Sequence, residues 1–171
     1  EEYFLTGIMN INKDFKSIGP KEAQAERKII KDISQKHFNV YFNIQTVYTD
    51  YNQLSIIINT NESLLTTEMK KTIDLIAMAI NTDLSEIFGV VVNFCFNNTT
   101  CSFSHIYNNY FQVKEMNKFT GFMKPAGVAY NTGPLRENFI YPVKVQRYIL
   151  NGIKTGDIKT IENAITELFN E

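Results

Sequence analysis

Phe38-Asn39-Val40-Tyr41-Phe42-Asn43-Ile44-Gln45-Thr46-Val47-Tyr48-Thr49-Asp50-Tyr51-Asn52-Gln53-Leu54-Ser55-Ile56-Ile57-Ile58 is the stretch on which the fold turns. Phe38, Val40, Phe42 and Ile44 recur at every second position, the period of a half-buried strand. Thr49 to Gln53 is polar and reads as a turn. Leu54 to Ile58 is apolar and β-branched, so the two runs predict a hairpin.

Upstream, Phe4 to Ile11 reads as a strand with Gly7 as its weak point. Gly19-Pro20 introduces Lys21 to Lys36, where Ala23, Ile29, Ile30 and Ile33 lie among charges as in an amphipathic helix. The segment from Lys13 to Lys36 holds seven basic and four acidic residues. A solvated helix face explains it better than a nucleic-acid or membrane surface. Downstream, Thr66 or Thr67 caps a helix carrying Met69, Ile73, Ile76, Ala77 and Ile80, with a break or kink at Asn81-Thr82-Asp83. Leu84, Ile87 and Phe88 close that helix before Gly89. Val90 to Phe96 is nearly continuously apolar, as in a central strand covered on both faces. Phe103 to Phe119 predicts a helix whose aromatic stripe belongs to the core, and Gly127 to Tyr130 a short strand. The order β-α-β-β-α-β, then helix and strand, is an α+β, ferredoxin-like sheet covered by helices.

The tail changes character. Pro142 opens a helix bearing Val145, Ile149 and Ile153, and Thr155-Gly156-Asp157 is a tight connection. Ile158, Ile161, Ala164, Ile165, Leu168 and Phe169 then share one helical face. This gives a C-terminal helical hairpin and two regions, 1–138 and 139–171. The face formed by Ile149, Ile153, Ile158, Ile161, Ile165 and Leu168 is either core of its own unit or a subunit interface that relays a signal.

Composition narrows the function classes. The 171 residues carry 17 Lys plus Arg against 18 Asp plus Glu, a net charge of -1 that argues against a free-standing nucleic-acid binder. Apolar runs are too short to span a bilayer. Asn occurs 19 times and Ile 21 times, a bias that produces the sequons at Asn61, Asn97 and Asn98 by chance. Two cysteines, Cys95 and Cys101, make no disulfide scaffold, and His37 and His105 lack partners at metal-ligand spacing. A glycosylated surface protein, the contrary reading, requires a Cys95–Cys101 disulfide. No phosphate loop, dinucleotide fingerprint or hydrolase signature is present.

Two resemblances add to this. The element order, Asn10-Ile11-Asn12-Lys13-Asp14-Phe15-Lys16-Ser17-Ile18-Gly19 and the hairpin tip Asp50-Tyr51-Asn52-Gln53-Leu54 resemble the GGDEF branch of the nucleotidyl cyclases. The first stretch is similar to that family's DxDxFKxxN run, with one residue inserted. The hairpin tip falls where its signature pentapeptide lies. The resemblance implies a Mg²⁺-dependent nucleotide site. Yet Asn10 stands for the family's metal-binding Asp, Asn52 and Gln53 for its acidic pair, and Asp50 and Tyr51 for its two glycines. Neutral amides do not supply the charge that Mg²⁺ chemistry needs. The expectation is a catalytically dead domain with no catalytic residue, cofactor or metal.

The run Tyr141 to Asp157, YPVKVQRYILNGIKTGD, resembles the helical linker that precedes the helix-turn-helix pair in YesN-like AraC-family regulators. The resemblance implies a cytoplasmic middle section of a longer regulator of a kind that can be membrane-anchored, with both ends of this chain cut. It implies a homodimer formed through the full-length protein, DNA contact only through a C-terminal domain absent here, and no membrane contact by this stretch. The leading expectation is a non-catalytic signal-relay and dimerisation domain. The other readings are a nucleotide-binding or weakly active cyclase-like domain, with purine nucleotides near Asn10, Asn12 and Asn52, and a surface interaction protein.

Overall fold

The structure is a computed structural model that describes residues 2–120, 126–131, 150–160, 162 and 163. By its internal contacts the chain divides into two units, Glu1–Pro134 and Leu135–Glu171.

The first unit is a five-stranded sheet with helices on both faces. In chain order its elements are β1 (Tyr3–Ile11), α1 (Pro20–Phe38), β2 (Asn43–Asp50), β3 (Gln53–Thr60), α2 (Thr67–Phe88), β4 (Val92–Phe96), α3 (Ile106–Thr120) and β5 (Val128–Tyr130). The strand order is β2-β3-β1-β4-β5. β1 lies antiparallel between β3 and β4, and among the described residues only the β4–β5 pair is parallel. This is the ferredoxin-like plan with one strand added beyond β4.

Alternation along the strands sorts the two faces. Leu5, Met9 and Ile11 of β1 meet Leu54, Ile56 and Ile58 of β3 and Val92, Phe94 and Phe96 of β4 on one face. Ile30 and Phe38 of α1 and Ile73, Ile76, Ile80 and Leu84 of α2 cover that face. Each fully buried Ile, Leu or Phe contributes about 1.5–3 kcal/mol by leaving water. Phe38, Phe94 and Phe96 meet ring to ring at centroid distances of 6.2 to 6.4 Å. Gly7 is needed in this layer, because a Cβ there would collide with the Phe96 ring directly opposite. It is a point of close approach rather than a weak point.

Three sequence expectations are corrected here. Phe38 closes α1 and is buried, and the strand begins only at Asn43, because the bulky ring fills the space between α1 and the sheet. Alternation from 38 to 42 mimicked strand periodicity across a helix end. α2 does not break at Asn81. The Asn81 amide instead faces β4, donating to Val92 O at 3.0 Å and accepting from Val92 N at 2.8 Å. The third correction concerns α3. Its buried positions are Asn109, Val113 and Asn117, while Phe103, Tyr107 and Phe111 are 78%, 74% and 50% exposed. Tyr107 and Phe111 of the aromatic stripe are therefore outside the core, while Tyr110 packs against the buried cluster of Ile8, Cys95 and Val113.

The helix ends follow their sequence signals. Thr66 caps α2 by accepting from Met69 N at 3.2 Å, and Gly89 ends it at a positive φ of 62°.

In the second unit, residues 150–155 are helical and Gly156 has φ 70°. Asp157 caps the next turn, accepting from Thr160 N at 3.2 Å and from Thr160 Oγ1 at 2.6 Å. Ile153 and Ile158 are exposed. Ile149, Ile161, Ile165 and Leu168, the rest of the predicted apolar face, lie outside the described residues, as does the predicted helix start at Pro142. No helix among the described residues is long and apolar enough to cross a membrane.

Candidate functional site

The residues singled out by the sequence gather at one end of the sheet. β1 runs toward its C-terminal end with Asn10 aligned between Gln53 of β3 and Asn93 of β4. Three neutral amides thus form a row across three adjacent strands. Asn10 lies on the face covered by α3, and Asn117 of that helix sits over it. The two amides bond reciprocally: Asn10 Nδ2 donates to Asn117 Oδ1 at 2.5 Å, and Asn117 Nδ2 donates to Asn10 Oδ1 at 2.9 Å.

The other amides have structural partners too. Asn93 Oδ1 accepts from Ala126 N at 2.6 Å and Gly127 N at 3.3 Å, which fixes the entry to β5. The hairpin between β2 and β3 is tight, and its tip is tied back to the end of β1. Asn52 Nδ2 donates to Lys13 O at 2.6 Å, and Ile11 N donates to Asn52 O at 2.9 Å. A cleft of about 360 Å³ opens beside this row, lined by Asn10, Asn12, Gln53, Asn93, Asn117 and Lys118.

A second cleft, of about 490 Å³, lies between the start of α1 and the hairpin tip. Phe15, Lys16, Gln24, Arg27 and Tyr51 line it. The Arg27 guanidinium rests over the Tyr48 ring at 4.1 Å and near the Tyr51 ring at 5.3 Å. Its Nη2 donates to Asp50 O at 3.3 Å. The Tyr48 hydroxyl donates to Arg27 O at 2.6 Å, and burial pushes this phenol up to about 12 against the opposing pull of Arg27. Sequence reasoning missed this stack. Arg27 and Tyr48 lie on successive elements, and only the return of β2 alongside α1 brings them together.

The carboxylates nearest these clefts have other partners. Asp14 accepts from Lys16 N at 3.0 Å at the start of a short 3-10 turn, Asp50 accepts from Tyr51 N at 2.6 Å, and Glu26 pairs with Lys13 at 2.5 Å. Among the described residues no group of three or more His, Cys, Asp or Glu side chains is clustered to hold a metal ion. A hard divalent cation takes charged carboxylate oxygens. The row at the end of β1 offers amide oxygens, and that of Asn10 already accepts a hydrogen bond from Asn117. The residues present do not fit Mg²⁺.

Cys95 is buried under α3 and Cys101 is partly buried at the other end of β1, and neither is in a disulfide. The pairing required by a surface-protein reading is therefore not formed.

No family model matches the sequence, and no curated protein matches it. Solved structures do. The chain is similar to the active GGEEF domain of a diguanylate cyclase from Vibrio cholerae, with a TM-score of 0.55 at 8% identity over 75% of this chain and 82% of that one. It is also similar to the catalytic core of a rhodopsin-guanylyl cyclase with converted specificity in complex with ATPαS, with a TM-score of 0.54 at 11% identity over 76% of this chain and 78% of that one. At such identities the likeness is one of fold: the sheet and its covering helices are those of the nucleotidyl-cyclase and GGDEF domains.

Proposed function

We propose that this is a catalytically inactive cyclase-like domain, acting as a signal-relay and dimerisation module in a bacterial AraC-type, YesN-like transcriptional regulator. The observation that carries the inactive reading is the Asn10–Asn117 pair. At the position the GGDEF resemblance gives to a metal-binding carboxylate, the side chain is neutral and its amide is bonded on both sides to α3. Asn52, at the position of an acidic residue, donates to the Lys13 backbone. Tyr51 projects where the family's glycine lets the backbone approach a nucleotide. Phosphoryl chemistry depends on cations positioned by carboxylates, and among the described residues no cluster of three or more His, Cys, Asp or Glu side chains stands ready to hold one.

The regulator context is supported by the tail. The linker-like run Tyr141 to Asp157 ends in the left-handed Gly156 and the Asp157 cap, which suit a helix pair joined by a tight turn. In this reading the homodimer forms through the full-length protein in the cytoplasm. DNA is contacted by a separate C-terminal domain.

A second reading has its own support. The cleft between α1 and the hairpin combines a stacked Arg27, Lys16 and the aromatic Tyr51, a chemistry suited to a nucleotide. Titration calorimetry with GTP and with cyclic di-GMP, each with and without Mg²⁺, separates the two, together with an assay of GTP turnover. The proposal expects no turnover and no Mg²⁺-dependent heat. Micromolar binding without turnover favours the second reading, and turnover defeats the first.

A further inference from the structure

α3 buries only part of its apolar residues and leaves aromatic rings in solvent. The side facing the sheet mixes polar and apolar contacts: Thr6 Oγ1 donates to Asn109 Oδ1 at 2.5 Å, Asn10 pairs with Asn117, and Val113 lies between them against Ile8 and Cys95 with Tyr110 and Met116 packed beside it. The side facing solvent carries Tyr107 and Phe111, continued by Phe103 in the 3-10 turn that leads into the helix. Phe103 is held at the foot of β1 by edge-to-face contact with Phe4 at 6.0 Å. These three residues are spaced four apart and form one ridge along the helix. Isolated exposed apolar residues are ordinary, but an aligned ridge of three aromatic rings is not.

We infer that this ridge is an interface between two copies of the chain, packed antiparallel about a twofold axis. The arrangement is self-complementary. A twofold near the middle of the ridge sets Tyr107 of each copy against Phe111 of the other. It also brings Phe103 of each copy toward Lys114 of the other, an ammonium facing an aromatic ring. Lys114 is exposed, one turn beyond Phe111. The three rings expose on the order of 400 Å² per copy, about half of what each partner gives to a standard interface. Asn108, Gln112 and Lys114 would supply a polar rim. With a net charge of -1, two copies have little charge to repel them. The inference is independent of whether the domain has lost its catalysis, and it places the contact on α3 rather than on the tail face expected from the sequence.

Sedimentation equilibrium of the full chain, over a series from micromolar to submillimolar concentration, tests it. The parent chain is expected to form a dimer. Phe111→Glu is expected to weaken self-association by roughly a hundredfold with an unchanged far-ultraviolet circular dichroism spectrum. Tyr107→Lys combined with Phe111→Glu is expected to restore the dimer, because the twofold sets each Lys beside a Glu of the other copy. A monomeric parent, a Phe111→Glu chain that still dimerises, or a charge pair that restores nothing would overturn the inference.

Discussion

Asn10 and Asn117 are 107 positions apart in the chain and bond to each other through both atoms of both amides. The pair locks the C-terminal half of α3 to the end of β1 without any charge. Its strength rests on mutual satisfaction. Removing Asn117 leaves the partly buried Asn10 amide without these bonds, at a cost of about 1–3 kcal/mol, whereas replacing both by apolar groups is close to neutral. Asn117→Leu should therefore lose stability in urea denaturation, and Asn10→Leu added to it should recover most of the loss. A double variant as unstable as the sum of the singles would show that the two amides act separately.

Gly7→Ala places a methyl group in the Phe96 ring. Overpacking of this kind costs about 1–3 kcal/mol, and here the ring cannot retreat without disturbing Phe38 and Phe94. The thermal midpoint should fall by several degrees. Gly7→Ala with Phe96→Leu should regain part of the loss, and an unchanged midpoint in the single variant would contradict the close approach.

The two thiols should differ in reactivity. Burial pushes the Cys95 thiol up to about 12, and partial burial also raises the Cys101 thiol. The thiolate is the reactive form. A chromogenic disulfide reagent should count two free thiols in denaturant. In the native protein it should modify Cys101 slowly and Cys95 only as the chain unfolds. A count of zero in denaturant would mean a disulfide and would revive the surface-protein reading.

Alkaline pH should unfold the domain through its tyrosines. Burial raises Tyr48 to about 12 and also raises Tyr130, the latter helped by Asp74. A phenol whose folded value lies above its unfolded one stabilises the fold fully below the unfolded value, near 10. That stability is lost as pH rises from there through the folded value. The thermal midpoint should thus decline above pH ~10. Tyr48→Phe should start lower, lacking the bond to Arg27 O, and decline less steeply.

The element order of the sheet was legible in the sequence because period-two and period-three-to-four patterns are local, and so were the Thr66 and Gly89 helix ends. The strand start was not, because Phe38, Val40 and Phe42 alternate across a helix end. Periodicity also shows which residues share a face without showing which face turns inward. On α3 all the apolar residues were taken for the buried side, and the structure buries Asn109 and Asn117 beside Val113 while leaving Tyr107 and Phe111 exposed. The amide row at Asn10 and Asn52 was visible as a departure from a carboxylate pattern. The partners of those amides were not, since Asn117 and the Lys13 carbonyl reach them only through tertiary contacts.

The position of β1 has a consequence in time. It is the first strand made and also the middle of the sheet, with neighbours that come from β3 and β4. As a chain leaves the ribosome at about 5–20 residues per second, β1 waits on the order of seconds before β3 exists to pair with it. The sheet cannot grow outward from one edge as its strands appear. During that delay Leu5, Ile8 and Met9 have no strand partner, so the interval before β3 emerges is when this domain most needs shielding from its neighbours.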